Sequence, residues 1–253
     1  LYQSWRLGET KVTAITQQQV LAEISEFLTS GQEQARLIVT PNIAHVKQAA
    51  QFPVVRKAYE AAWIATADGW PVALAVQLLS GFRTRQHRVT GVDLSSELLR
   101  KSYRVALVGG KEDASERVAQ AIANERWGAD VVLTEAVPAA ELEADLTRAD
   151  LVRRIADAKP QVILVGLGVP KQEKVALELL EICRGSVILC VGAAIEFAAG
   201  YQIRAPRGFQ LVGLEWFYRL CREPRRLWQR YLSSAPFFLK ALARALVVAR
   251  RQS

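Results

Sequence analysis

Asp68 is the residue whose surroundings best suit it to move a proton. It closes the apolar run Ala62–Ala67 and precedes Gly69, Trp70 and Pro71. A carboxylate there either caps the helix that follows or stands at a strand end as a general base. Arg83, Arg85 and Arg88 crowd one short stretch. Guanidinium forks bind two oxygens at once and suit a diphosphate; a solvated loop is the plain alternative. Gly109-Gly110-Lys111 ends one apolar run and Gly166-Leu-Gly-Val-Pro-Lys-Gln-Glu173 ends another. Glycine lets a backbone approach an anion closely. The second string lacks the third Gly of G-x-G-x-x-G and the Gly-Lys of a P-loop, so it is neither fingerprint. Pro170 suits the first turn of a helix, which sets Lys171 and Gln172 at an anion-attracting N-terminus. A capped helix with solvated Lys and Gln reads about as well.

Other chemistries find little support. No D-x-D string is present, so a divalent cation held by paired carboxylates is not expected. His45 and His87 are the only histidines, which argues against a His-rich metal site or a His-based relay. Cys183, Cys190 and Cys221 form no C-x-x-C pair and read as reduced thiols. The chain has no Met even at position 1, which is read as a native start lying upstream, with room for a lost N-terminal signal.

These residues need elements to position them. With 253 residues, 51% of them hydrophobic, the chain can bury a large core without a disulfide or metal staple. Apolar runs cover 36–42, 62–68, 103–110, 129–134, 161–168 and 186–192. They lack polar alternation, so both faces are expected to be covered. Helical patterns fall at 17–30, 43–60, 92–102, 113–127, 140–158 and 171–183. The alternation predicts an α/β fold: a Rossmann-like, mostly parallel sheet with helices on both faces. A short strand at Lys11–Ile15 is expected at a sheet edge. Ligands bind outside the carboxyl ends of such strands. That singles out Thr40-Pro-Asn42, Asp68-Gly69, Gly109-Gly110, Gly166 to Gln172 and Gly192 to Glu196.

Taken together and in order, several strings resemble one family. They are Thr40-Pro-Asn42, Ala67-Asp-Gly69, Arg88-Val-Thr-Gly-Val-Asp-Leu94, Gly109-Gly110, Val165 to Glu173, Gly200-Tyr-Gln-Ile-Arg-Ala-Pro206, Gly213-Leu-Glu-Trp-Phe-Tyr-Arg219 and Glu223-Pro-Arg-Arg226. The chain resembles the WecG/TagA/CpsF glycosyltransferases from about residue 8 to residue 231. The resemblance implies transfer of a sugar from a UDP-sugar to a polyprenyl-diphosphate-linked sugar, in cell-surface polysaccharide synthesis. The reaction would run at the cytoplasmic face of the membrane, with inversion and without metal or cofactor. Carried over by motif, Asp68 is the base. Thr40, Asn42, Arg88, Gly109, Gly110, Gly166, Gln172 and Glu196 bind substrate. Arg204, Arg219, Arg226 and Arg230 meet the lipid diphosphate or the membrane. The sequence departs from the family at Ala67, where Pro is frequent, and at Trp70, which is bulky. It departs again at Ile195-Glu196, where Phe-Asp is usual, and over 128–150, which lacks the Gly- and aromatic-rich loop. These departures bear on the sugar rather than on the reaction class.

The charge is uneven. The chain carries a formal +8, yet residues 201–253 hold eleven Arg or Lys and only Glu215 and Glu223 as acids. The expected division is a catalytic domain over 1–207 and a basic amphipathic appendage over 208–253. Gly213–Leu220 reads as one helix; Pro224 and Pro236 open further segments. Lys240 and Arg244 share one face, and Leu239, Leu242 and Leu246 share another. The stretch reads as too short and too charged to span a bilayer, and as suited to lie on an anionic surface as a peripheral anchor. Nucleic acid stands well behind, because no base-reading motif is present. A helix packing on the body or on a second subunit, as a homo-oligomer, is the plain reading. The runner-up from another class is a non-catalytic nucleotide- or nucleic-acid-binding protein.

Overall fold

Strand after strand turns one apolar side chain up and the next one down, and helices cover both faces. The computed structural model describes residues 2–81, 88–111, 113–125, 127–136, 142, 144–211 and 213–251, without the side chains of Arg207, Leu211, Arg226, Arg250 and Arg251. Arg83, Arg85, His87 and part of the 128–150 stretch lie outside the described residues.

In chain order the elements are β1 (Ser4–Leu7), β2 (Thr10–Thr13), α1 (Gln17–Thr29), β3 (Arg36–Val39), α2 (Ile43–Gln51), α3 (Pro53–Ala61) and β4 (Ile64–Ala65). There follow α4 (Trp70–Leu79), α5 (Gly91–Leu99), β5 (Arg104–Gly109), α6 (Ala114–Glu125), β6 (Asp130–Glu135), α7 (Asp145–Asp157) and β7 (Val162–Gly166). The last are α8 (Lys171–Ile182), β8 (Val187–Cys190), α9 (Ala194–Ala198), α10 (Arg207–Leu211), α11 (Glu215–Arg222) and α12 (Pro224–Arg251).

Six strands form one parallel sheet in the order β4-β3-β8-β7-β5-β6. On one face Ile38, Val105, Leu107, Val162, Leu164, Val187 and Leu189 pack with α1, α5, α6 and α9. On the other, Leu37, Val39, Ala106, Val108, Ile163, Val165 and Ile188 pack with α3, α7 and α8. This two-sided burial is why the strands show no polar alternation.

Four expectations need correction. The Lys11–Ile15 strand is β2, which pairs antiparallel with β1 in a separate hairpin rather than joining the sheet. Its Thr13 hydroxyl only touches the edge, accepting from the Ala65 N–H at 3.2 Å. The 43–60 helix is two, because Pro53 opens a new helix after an extended Phe52. Pro236, expected to open a segment, lies inside α12, whose 28 residues run on through it. Leu227–Ala249 is, by length and composition, long and apolar enough to cross a membrane, which overturns the expectation of too short a stretch. The inward face of α12 nevertheless has protein contacts: Phe238 and Ala241 are buried in a third cluster with Leu7, Val46, Val72 and Val76. Leu242 and Leu246 pack beside them, while Leu239 points away and is exposed.

Candidate active site

The carboxyl ends of the central strands open into a cavity of about 840 Å³. Thr40, Asn42, Asp68, Gly110, Gly166, Gln172 and Glu196 all line it. A smaller cavity of 330 Å³ adjoins it, walled by α11, α12, Trp70 and Arg88. Asn42, Asp68, Val92, Arg219 and Arg230 line both. Both volumes fall within the range of small-molecule sites. Asp68 thus stands where two cavities meet.

Asp68 follows β4, and its N–H donates to the Pro41 carbonyl at 2.9 Å. It does not cap α4: the N-cap is Gly69, and among the described residues no side-chain hydrogen bond caps that end. The capping reading of this carboxylate therefore falls away. Burial pushes its carboxyl up to about 6, with Arg88 and Arg219 partly offsetting the rise. A carboxylate held there is a stronger base than an ordinary Asp and is still ionised at neutral pH.

The neighbouring polar groups are tied to the scaffold. The Thr40 hydroxyl donates to the Cys190 carbonyl at 3.0 Å. Asn42 caps α2, its Oδ1 accepting from the Ala44 N–H at 3.0 Å. His45 closes the same turn, its Nδ1 accepting from the Asn42 N–H at 3.0 Å. Burial, then the charge of Arg230, lowers the His45 pKa to about 3, so the ring is neutral. Gln172 bridges: its Nε2 donates to Glu173 at 2.9 Å, and its Oε1 accepts from the Gly192 N–H at 3.2 Å. Burial pushes the fully enclosed Glu173 up to about 7. Glu196 accepts from Gln202 Nε2 at 2.5 Å. Gly110 lines the large cavity, and Gly109 lies behind it with φ +96°. A Cβ on Gly109 would meet the Gly166 carbonyl oxygen at 2.7 Å, so only glycine lets β5 and β7 end this close together.

The arginines divide. Arg88 donates to Glu215 at 2.7 Å, with both side chains largely buried. Arg204 lines neither cavity; both its terminal nitrogens bond the Asp93 carboxylate. Burial raises Asp93, but the bonds from Arg204 and Thr90 outweigh it and hold the carboxyl below its usual range. Arg219 lies over the Phe197 ring at 5.3 Å and faces both cavities, as does Arg230. The Arg226 side chain lies outside the described residues. Among the described residues no three His, Cys, Asp or Glu side chains cluster as a metal site would require.

His45, Glu173 and Glu215 were not among the site residues expected from the sequence. For His45 a signal was present, since a polar residue three places after an N-cap Asn is a capping-box pattern. For the Arg88–Glu215 pair there was none, because 127 positions separate the partners.

The Glycosyl transferase WecG/TagA/CpsF family model matches residues 5–252. The chain is also similar to proteins named N-acetylglucosaminyldiphosphoundecaprenol N-acetyl-beta-D-mannosaminyltransferase from Staphylococcus aureus strains MW2, MRSA252 and NCTC 8325 / PS 47. Each is 28% identical over 239 residues, covering 91% of this chain and 88% of the relative. With the match running from β1 to the end of α12, the chain belongs to the WecG/TagA/CpsF family of glycosyltransferases and is a hexosyltransferase.

Proposed function

We propose that this enzyme moves a sugar from a UDP-sugar to a polyprenyl-diphosphate-linked sugar at the cytoplasmic face of the membrane, with inversion and without a metal. The names of its relatives suggest an N-acetylmannosamine donor and an N-acetylglucosaminyl acceptor. The observation that carries the reading is the position of Asp68, shared by two adjoining cavities with its carboxyl raised to about 6. A transferase needs its base between donor and acceptor.

In the proposed reaction the acceptor hydroxyl attacks the anomeric carbon opposite the leaving UDP. Its proton passes to Asp68, and the bond to the UDP oxygen breaks with its electron pair. One displacement inverts the centre. Negative charge grows on the leaving diphosphate, and Arg219, Arg230 and the N–H groups ending the strands are the donors at hand. Residues 1–207 form the catalytic domain and 208–253 the appendage that brings it to the membrane. The exposed Trp228, Leu232 and Leu239 beside Lys240 and Arg244 suit an anionic lipid surface. The test is transfer from UDP-N-acetylmannosamine and other UDP-sugars to a lipid-linked N-acetylglucosaminyl diphosphate, with product stereochemistry read by NMR. Retention at the anomeric centre, or no transfer from any UDP-sugar, sinks the reading.

A further inference from the structure

The two cavities at Asp68 differ in kind, and the difference assigns their occupants. The larger is floored by backbone: Gly110, Gly166, Gly168 and Gly192 line it at the strand ends, and α8 starts beside it. Backbone N–H groups and a helix N-terminus suit the phosphates of a nucleotide. The smaller is walled by rings. Trp70, Trp216 and Tyr231 line it together with Pro71, Arg88 and Glu215. Trp216 meets Tyr231 edge-on, with ring centroids 6.1 Å apart.

Trp70 is held unusually firmly. Its Nε1 donates to the Gln210 carbonyl at 3.2 Å. Gly213 packs against the ring so closely that a Cβ there would lie 2.7 Å from Trp70 Cδ1, at a backbone φ of +78°. The indole is therefore fixed by the C-terminal segment before any ligand arrives. A preorganised ring of this kind binds without the cost of ordering a side chain.

From this contrast, and resting on the transferase reading above, we infer that the small aromatic cavity is the subsite for the acceptor's sugar ring, with Trp70 as its specificity-determining residue. A pyranose presents a face of C–H groups that lies against an aromatic ring, whose π face is negative. Its hydroxyls find Arg88, Glu215, Thr90 and Asn42 around the same cavity. The hydroxyl that attacks must reach Asp68, so the group beside Asp68 is the sugar and not the lipid tail. The volumes agree: 330 Å³ suits one sugar, and 840 Å³ suits a nucleotide sugar.

The test uses the full chain, a UDP-sugar it accepts, and N-acetylglucosaminyl diphosphate on a short alkyl chain that stays in solution. Trp70→Leu should raise the acceptor KM by at least about tenfold and leave UDP affinity within about twofold. Trp70→Phe, which keeps a ring, should recover much of the loss. Trp216→Leu, at a side chain already 44% exposed, should raise the acceptor KM in the same direction and covers the case of a misfolded Trp70 variant. A matched alkyl diphosphate without the sugar should bind wild type and Trp70→Leu alike. Weaker UDP binding in the variants would give the cavity to the donor. Equal loss for the sugar-free diphosphate would give it to the lipid tail. An unchanged acceptor KM in both tryptophan variants would also overturn the assignment. No transfer by the wild type with any UDP-sugar is a different result, and it would end the UDP-sugar reading proposed above.

Discussion

Arg88 Nη1 lies 2.7 Å from Glu215 Oε2, and through this pair the C-terminal segment grips the body beside Asp68. Glu215 also stands 3.8 Å from Arg204, which Asp93 holds in turn. Two cations and two carboxylates thus alternate, and of the four only Arg88 and Glu215 line the smaller cavity. The side chains of Arg88 and Glu215 are 13% and 10% exposed, so either one left alone is a poorly solvated charge.

Glu215→Ala should therefore destabilise the fold by about 2–5 kcal/mol, most of it the cost of an unpaired Arg88. The paired replacement Arg88→Met with Glu215→Leu should recover stability and not turnover. Thermal unfolding of the single and double variants checks this. A single variant as stable as wild type would show the pair to be idle.

Asp68→Asn should lose on the order of 10²-fold or more in turnover while UDP still binds. The same variant should be more stable than wild type at neutral pH. A carboxyl raised from 3.8 to about 6 by burial takes up protons on folding, so its ionised form opposes the fold above that pH. The stabilisation should fade as pH falls from about 6 toward 4, where folding itself protonates the wild-type carboxyl. Undiminished turnover removes Asp68 from the mechanism. A lower Tm at pH 7.5 contradicts the burial account.

The sheet and the line of site residues were legible because parallel strands covered on both faces read as unbroken apolar runs, and ligands gather at their carboxyl ends. Thr40, Asn42, Asp68, Gly110, Gly166, Gln172 and Glu196 all fall at such ends and line one cavity. Helix α4 was not legible. Its sequence Trp-Pro-Val-Ala-Leu-Ala-Val-Gln-Leu-Leu is apolar nearly all round, so it shows no helical period. Arg204 was placed at the lipid diphosphate or the membrane by the family motif, and its bond to Asp93, 111 positions away, was not legible. Ion pairs at that separation leave no mark in local spacing. The path of α12 through Pro236 is likewise set by what the helix packs on, namely Leu7, Val46 and Val72.

The acid limb of kcat/KM should fall with an apparent pKa near 6, since protonated Asp68 accepts no proton. Arg88 and Arg219 hold that value down, so Arg219→Gln should move the limb upward. A pH series on the two proteins measures the shift. A limb that stays in place, or moves down, breaks the link between Arg219 and the base.

Transfer should survive EDTA, with leaving-group charge carried by arginine. Arg219→Ala should then cost on the order of 10²-fold in kcat, the scale of losing one donor at a developing charge. Activity abolished by EDTA and restored by Mg²⁺ or Mn²⁺ would replace the arginine account with a metal.

The outer face of α12 makes the last prediction. Trp228, Leu232, Leu239 and Val247 are exposed there, and Arg225, Lys240 and Arg244 flank them. None belongs to the cluster that docks the helix, so changing them should leave the fold intact. Trp228→Ser, Leu232→Ser and Leu239→Ser together should weaken binding to anionic liposomes at every salt concentration. Lys240→Glu with Arg244→Glu should weaken it mainly at low salt, each basic residue near such a surface contributing about 1 kcal/mol. Both sets should slow transfer to a long-chain acceptor in membranes while sparing transfer to a short-chain acceptor in solution. Co-sedimentation with the two assays decides. Unchanged sedimentation of both sets would mean that this face meets something other than a bilayer. Loss of short-chain transfer would mean that this outer face, too, serves the site directly.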